Sequence, residues 1–239
     1  MNVSHSIFLL LKLISALPNN ADRKTIIFMK RKNTIFLVLS LLLVSSPAFS
    51  QFELGLQLSP SLSFNRIDDD EASVGLSTNG VGGRIAASLI ADFYLRENYY
   101  LHSGISFVPK RVGIEDADNN IEESYRLQYL QLPAAIKLYT NEVALDMRLY
   151  FLVGLTLDVK ILEDELSDEV RYVQDFRPID ANVMVASGLE YRIGYSTTIY
   201  GGFSYRRGLV NVVKNQFEPN VGNIIIKSDM LSLDLGIKF

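Results

Sequence analysis

Residues 143–161 read VALDMRLYFLVGLTLDVKI, and every odd position is apolar: Val143, Leu145, Met147, Leu149, Phe151, Val153, Leu155, Leu157, Val159 and Ile161. The even positions include Asp146, Arg148, Asp158 and Lys160. A helix, turning about 100° per residue, would scatter those four charges around its axis, whereas a strand places them on one face. The stretch reads as a long strand, greasy on one side and ionic on the other. The same alternation recurs seven more times. Its apolar rows begin with Phe52, Leu54, Leu56 and Leu58, and end with Leu231, Leu233, Leu235, Ile237 and Phe239. No helical segment of comparable quality separates these rows, and no fixed-period repeat marks a second domain.

The connections alternate in length. Tight turns are expected near Glu97 and Asn98, at 140–142 and at 194–196, while residues 67–79, 112–124, 162–175 and 208–222 form longer, polar and largely acidic connections. Short turns at one end and long loops at the other are the arrangement of outer-membrane barrels, with the turns in the periplasm and the loops outside. The predicted fold is all-β: a closed, eight-stranded, antiparallel up-and-down transmembrane β-barrel preceded by a signal peptide. An even strand number puts both termini on the periplasmic side.

Alternation alone does not say which face is outside. An eight-stranded barrel has an interior just wide enough for side chains, and five or more large apolar groups from every strand would overfill it. The opposite face carries few bulky groups and a balanced set of charges instead. Seven acids (Glu53, Asp92, Asp146, Asp158, Asp180, Glu190, Asp234) stand against seven bases (Arg84, Lys137, Arg148, Lys160, Arg192, Arg206, Lys238). Such a set suits a closed interior, where an unpaired buried charge is costly. The apolar rows are therefore expected to meet hydrocarbon. Lys227 and Asp229, on the lipid-facing phase of the last strand, escape it by projecting beyond the membrane.

The remaining composition narrows the function. The 239 residues contain no Cys and two His, which excludes disulfides, thiolate chemistry and Cys-ligated metal. Residues 29–50, MKRKNTIFLVLSLLLVSSPAFS, join a basic cluster to a short apolar run and a small-residue cleavage context, the pattern of a secretory signal peptide. Met29 starts that pattern unaided, so residues 1–28 are expected to be an over-extended N-terminus, leaving 51–239 as the barrel domain. Removing the first 50 residues takes away six bases and one acid and shifts the formal charge from −4 to −9, which disfavours nucleic acid as a partner.

Three stretches resemble a known family. Residues 129–139, YLQLPAAIKLY, are similar to the Leu-x-x-Pro strand that recurs in the PorT-like family of small outer-membrane barrels. The Gly-rich segments ASGLEYRIG and IYGGFSY and the terminal LSLDLGIKF fit the same family. Ending the last alternating strand on Phe239 resembles the signal read by the outer-membrane assembly machinery. The resemblance implies an outer-membrane barrel, in a family that includes accessory components of secretion or assembly systems.

No catalytic, cofactor-binding or metal-binding residues are assigned. His102 and Ser103 are adjacent and point to opposite sides of a strand, so they cannot act as a base and nucleophile pair; a lipid A-modifying enzyme using His102 with Ser88 or Ser106 is the weaker alternative. The leading expectation is a non-enzymatic outer-membrane protein whose long acidic loops bind an extracellular or secretion-system partner or stabilise the envelope. Lys110, Arg111, Arg126, Arg206, Arg207 and Lys214 are placed level with lipopolysaccharide phosphates.

Overall fold

The computed structural model describes residues 52–69, 76–116, 121–166, 173–216 and 224–239. The expected export segment and N-terminal extension, and the four loop tips, lie outside the described residues. Among the described residues eleven strands run in chain order: β1 (Phe52–Asp69), β2 (Leu76–Thr78), β3 (Gly82–Arg96), β4 (Tyr99–Asp116), β5 (Ile121–Ala144), β6 (Met147–Glu165), β7 (Val173–Phe176), β8 (Ile179–Arg192), β9 (Thr198–Gly208), β10 (Val213–Gln216) and β11 (Ile224–Lys238). Eight of them form one ring in the order β1, β3, β4, β5, β6, β8, β9, β11, all antiparallel, and β11 pairs with β1 to close it. β2 extends the edge of β4, and β7 pairs with β10 in a separate two-stranded sheet.

Closure joins Leu56 to Ile237, Ser61 to Ser232 and Asp69 to Ile224. At the short-turn end the seam is completed by reciprocal backbone hydrogen bonds between Leu54 and Phe239. The turn at Glu97 and Asn98 lies where the sequence places it, with Asn98 at φ 63°. The next turn does not. It falls at Leu145 and Asp146, not 140–142, so Val143 and Ala144 belong to β5 and the quoted stretch is a turn followed by a strand. Asp146 takes φ 59°, a left-handed conformation that Asp tolerates better than most residues.

The apolar rows point outward: Leu58, Leu89, Leu155 and Phe203 are all more than half exposed. On β11 the row from Leu231 to Phe239 spans nine residues. At about 3.3 Å per residue and a tilt of about 40°, nine residues rise roughly 23 Å, close to the apolar band of an outer-membrane barrel.

Above that band, towards the long loops, the polarity of each face inverts. On β5, Leu130, Leu132 and Ile136 face out while Gln131 and Lys137 face in; further up, Arg126 and Gln128 face out while Tyr125, Leu127 and Tyr129 are buried inside. β4 changes over between Phe107 and Arg111, and β11 between Leu231 and Asp229. These three strands thus carry a membrane half, apolar outside, and an upper half with the inside-apolar pattern of a barrel in water. β6 departs from this scheme at a bulge: Tyr129 pairs with Lys160 but Gln128 pairs with Leu162, leaving Ile161 as the extra residue, so that beyond it Leu162 faces out and Glu163 faces in.

The inversion predicts position-dependent tolerance of charge. Leu155→Arg, in the middle of the outer band, costs about 2–4 kcal/mol and depletes the compact, heat-modifiable gel band of the membrane fraction. Leu162→Arg, on the same outer surface but above the band, leaves that band unchanged.

Candidate functional site

The lumen is filled from end to end by three layers of different chemistry. The first, at the short-turn end, is an ionic knot built by five strands. Lys137 of β5 contacts Asp92 of β3 at 2.8 Å and Glu190 of β8 at 2.7 Å. Lys238 of β11 contacts Glu53 of β1 at 2.6 Å, Asp92 at 3.2 Å and Glu190 at 2.9 Å. Lys137, Lys238, Asp92 and Glu190 are all buried, while Glu53 reaches the open end. Each buried ion has at least two partners, the condition under which attraction offsets the loss of water.

Tyrosines fill the space around the knot. Tyr139 accepts from Lys238 at 2.9 Å and donates to Glu190 at 2.9 Å. Lys137 Nζ lies 4.6 Å from the Tyr150 ring centre and 5.6 Å from that of Tyr200, so the cation gains ring contacts as well as carboxylates. These inward tyrosines overturn the expectation of an interior with few bulky groups. They fit because the strands facing them carry glycine: a Cβ on Gly188 would come within 2.6 Å of the Tyr150 hydroxyl. His102 is also part of the knot, with Nδ1 2.6 Å from Asp92 Oδ1. Ser103 points away and donates to the Pro133 carbonyl at 3.0 Å. A cavity of about 20 Å³, bordered by His102, Gln57, Tyr200, Arg206 and Asp234, separates this layer from the next.

In the second layer, Lys110 lies 2.8 Å from Asp158 and 3.1 Å from Asp180, which face each other across β6 and β8. Gln131 and Asn182 donate to Asp158 at 2.8 and 3.1 Å. The third layer is apolar. Val112, Ile114, Tyr125, Leu127, Val173, Phe176, Val212, Val213 and Ile226 form one buried cluster, with the β7–β10 sheet lying on it. Burial raises the Tyr125 phenol above its ordinary range. Lys160 anchors β7 by donating to the Phe176 carbonyl at 2.6 Å and to Asp175 at 3.4 Å, and it also pairs with Glu163 on its own strand. Asp175 on β7 pairs with Lys214 on β10 at 2.6 Å, and that hydrogen bond holds its carboxyl below the usual range.

Of the fourteen charges assigned to the interior, the structure brings Glu53, Asp92, Lys137, Glu190 and Lys238 together in the knot and places Asp158 and Asp180 around Lys110. Asp234 accepts from Ser59 at 2.7 Å, and Arg206 donates to Ser232 at 3.1 Å. Two assignments need correction, and two more keep the inward phase without joining the knot. Asp146 lies in a turn, and Arg192 is exposed at the end of β8, where its N–H bonds the Asp146 carbonyl. Arg84 is near the loop end of β3 and donates to the Gly83 carbonyl beside it. Arg148 is half-buried over the Tyr139 ring, 4.6 Å from its centre, outside the carboxylate knot. Lys160 faces in, but it serves the upper layer. Lys110 and Arg206, expected at the lipid surface, are buried inside, because both occupy the inward phase of their strands. Phe239 is exposed at the end of the last outward row.

Removing Lys137 tests the knot. Lys137→Met leaves Asp92 and Glu190 sharing Lys238, and breaking a buried pair of this kind destabilises by about 3–5 kcal/mol. Urea unfolding in detergent micelles followed by tyrosine fluorescence measures the loss; Asp234→Asn, outside the knot, produces a smaller one.

A family model described as outer membrane protein beta-barrel domain matches residues 45–214. No curated protein matches the sequence. Among solved structures, the outer membrane protein OprG from Pseudomonas aeruginosa aligns at a TM-score of 0.52 with 11% identity, covering 79% of this chain and 97% of that one. Neisserial surface protein A aligns at 0.48 with 10% identity, covering 78% and 95%. At these identities the likeness concerns the fold alone. The family model covers most of the chain and, with the closed ring, identifies the protein as a member of the outer membrane protein β-barrel family, whose place is the outer membrane of Gram-negative bacteria.

Proposed function

We propose that this chain is a sealed, non-enzymatic outer-membrane barrel, with both termini in the periplasm and its long-loop end at the cell surface, where it binds a partner or stabilises the envelope. The observation that carries this reading is the filled lumen: an ionic knot, a ring of tyrosines, the Lys110 cluster and an apolar layer follow one another along the axis. A solute would have to break buried ion pairs and then displace the β7–β10 sheet. A diffusion role is disfavoured on that ground, as it is by the strand number.

A lipid A-modifying role is disfavoured by the position of His102. It is buried inside the ring, facing Asp92, whereas a membrane lipid reaches the outer surface. A second reading, an accessory role in a secretion or assembly system, is supported by the PorT-like character of residues 129–139. That motif supplies Lys137 to the knot and Tyr129 and Gln131 to the layers above it, so its resemblance concerns the stability of the barrel at least as directly as any partner.

Conductance decides between a sealed barrel and a pore. The purified protein in a planar lipid bilayer is expected to give no discrete conductance steps at neutral pH; steady single-channel openings would refute the sealed reading.

A further inference from the structure

β1 and β11 are the first and last strands of the ring, so no loop connects them and no turn sets the register in which they meet. The tight turns after β3, β5 and β8 do that for their own hairpins. At the seam, a slip of one residue is excluded because it turns every side chain to the wrong face. A slip of two keeps every face, and the hydrophobic pattern does not oppose it. Something other than alternation has to select the stagger at which the ring closes.

Two ion pairs cross the seam between positions that are not directly opposed. Near the long-loop end, on the outer face, Arg66 stands opposite Lys227 in the ladder but forks onto Asp229, two residues along β11, at 2.8 and 3.1 Å. Asp229 is buried and also accepts from the Tyr205 hydroxyl at 2.9 Å and from the Gly208 N–H at 3.0 Å, while Arg66 reaches past β11 to donate to the Gly208 carbonyl at 3.0 Å. β9 and β11 thus present a positioned carboxylate, and the first strand supplies its cation. At the short-turn end, on the inner face, Lys238 stands opposite Gly55 but contacts Glu53, two residues along β1, at 2.6 Å. The two offsets run in opposite senses.

We propose that Arg66–Asp229 and Glu53–Lys238 together lock the register of the closing seam, each blocking a slip in one direction. Sliding β11 by two residues so that Arg66 faces Asp229 brings Lys238 opposite Gln57 and leaves Glu53 four residues away, about 13 Å along the strand. Sliding it by two the other way makes Lys238 face Glu53 but brings Arg66 opposite Ile225, and Asp229 is then the one out of reach. Of the registers that keep the faces, the observed one alone lets both pairs form. Strand stagger is linked to the size of a barrel, so the two pairs also hold the lumen at the dimensions in which the ionic knot assembles.

The chain has no Cys, so introduced pairs report the register without background. Ser61→Cys/Ser232→Cys reads the observed stagger, in which these two buried serines are directly opposed. Ser59→Cys/Ser232→Cys and Ser63→Cys/Ser232→Cys become opposed only after a slip of two in one sense or the other, and a disulfide forms only when the Cα atoms come within about 7 Å. The protein is refolded into phosphatidylcholine vesicles, oxidised mildly, and its heat-modifiable population is scored for cross-links on non-reducing gels. With both ion pairs intact, only Ser61→Cys/Ser232→Cys cross-links. Adding Arg66→Gln raises the Ser59→Cys/Ser232→Cys cross-link about tenfold, the ratio one charge-assisted pair sustains, and leaves the Ser63→Cys/Ser232→Cys pair at baseline. Adding Glu53→Gln does the reverse. Arg66→Lys, which keeps the ion pair, leaves both slip reporters at baseline. Should Arg66→Gln fail to refold, Asp229→Asn carries the same expectation. The proposal is overturned if the folded variants leave both slip reporters at baseline, or if either variant raises both alike, as a seam that is merely loosened would.

Discussion

Hydrocarbon offers no partner to a peptide N–H or C=O, and that constraint organises the whole molecule. A sheet in such a medium has to end on itself. Here β11 meets β1 along its length, and Leu54 and Phe239 complete the seam by exchanging backbone hydrogen bonds. Once the ring is closed, alternation leaves no freedom: whatever faces away from the lipid faces the axis. A narrow axis then demands that every inward charge find its counter-ion within a few ångströms, and the Lys137, Lys238, Asp92 and Glu190 knot meets that demand.

The same physics explains why the upper half of the barrel is built the other way round. Where the strands leave the membrane, water satisfies the outer polar groups and the hydrophobic effect acts inward again. Tyr125, Leu127 and Ile114 therefore turn to the axis, and Arg111, Arg126 and Asp164 turn to the outside. The sheet of β7 and β10 supplies the last apolar groups, Val173, Phe176 and Val213, to this layer, held by Lys160 and by the Asp175–Lys214 pair. One ladder thus serves two solvents.

The parity rule that identifies the strands also misleads at specific places. The turn at Leu145 and Asp146 is hidden because apolar residues continue on odd positions straight through it, so Asp146 reads as an interior charge. Lys110 and Arg206 look like rim cations from their position near long connections, yet their phase is inward and both are buried. The inward tyrosines at 125, 129, 139, 150 and 200 stand in plain view in the sequence. Their fit depends on glycines such as Gly188, remote from Tyr150 in the chain but set directly opposite it by the β6–β8 pairing.

From the sequence alone follow the all-β class, the barrel strands, the outward apolar rows and the inward phase of most of the charges, because a two-residue period is a local property that needs no partner to be seen. The tertiary structure decided which charge meets which, where the faces exchange polarity, and that the lumen is shut by tyrosines, an ionic knot and an apolar layer. Lys137 reaches Asp92 and Glu190 across 45 and 53 residues of chain. Which partners a buried ion finds depends on strand stagger around a closed ring, a quantity set by all eight pairings together and by no single segment.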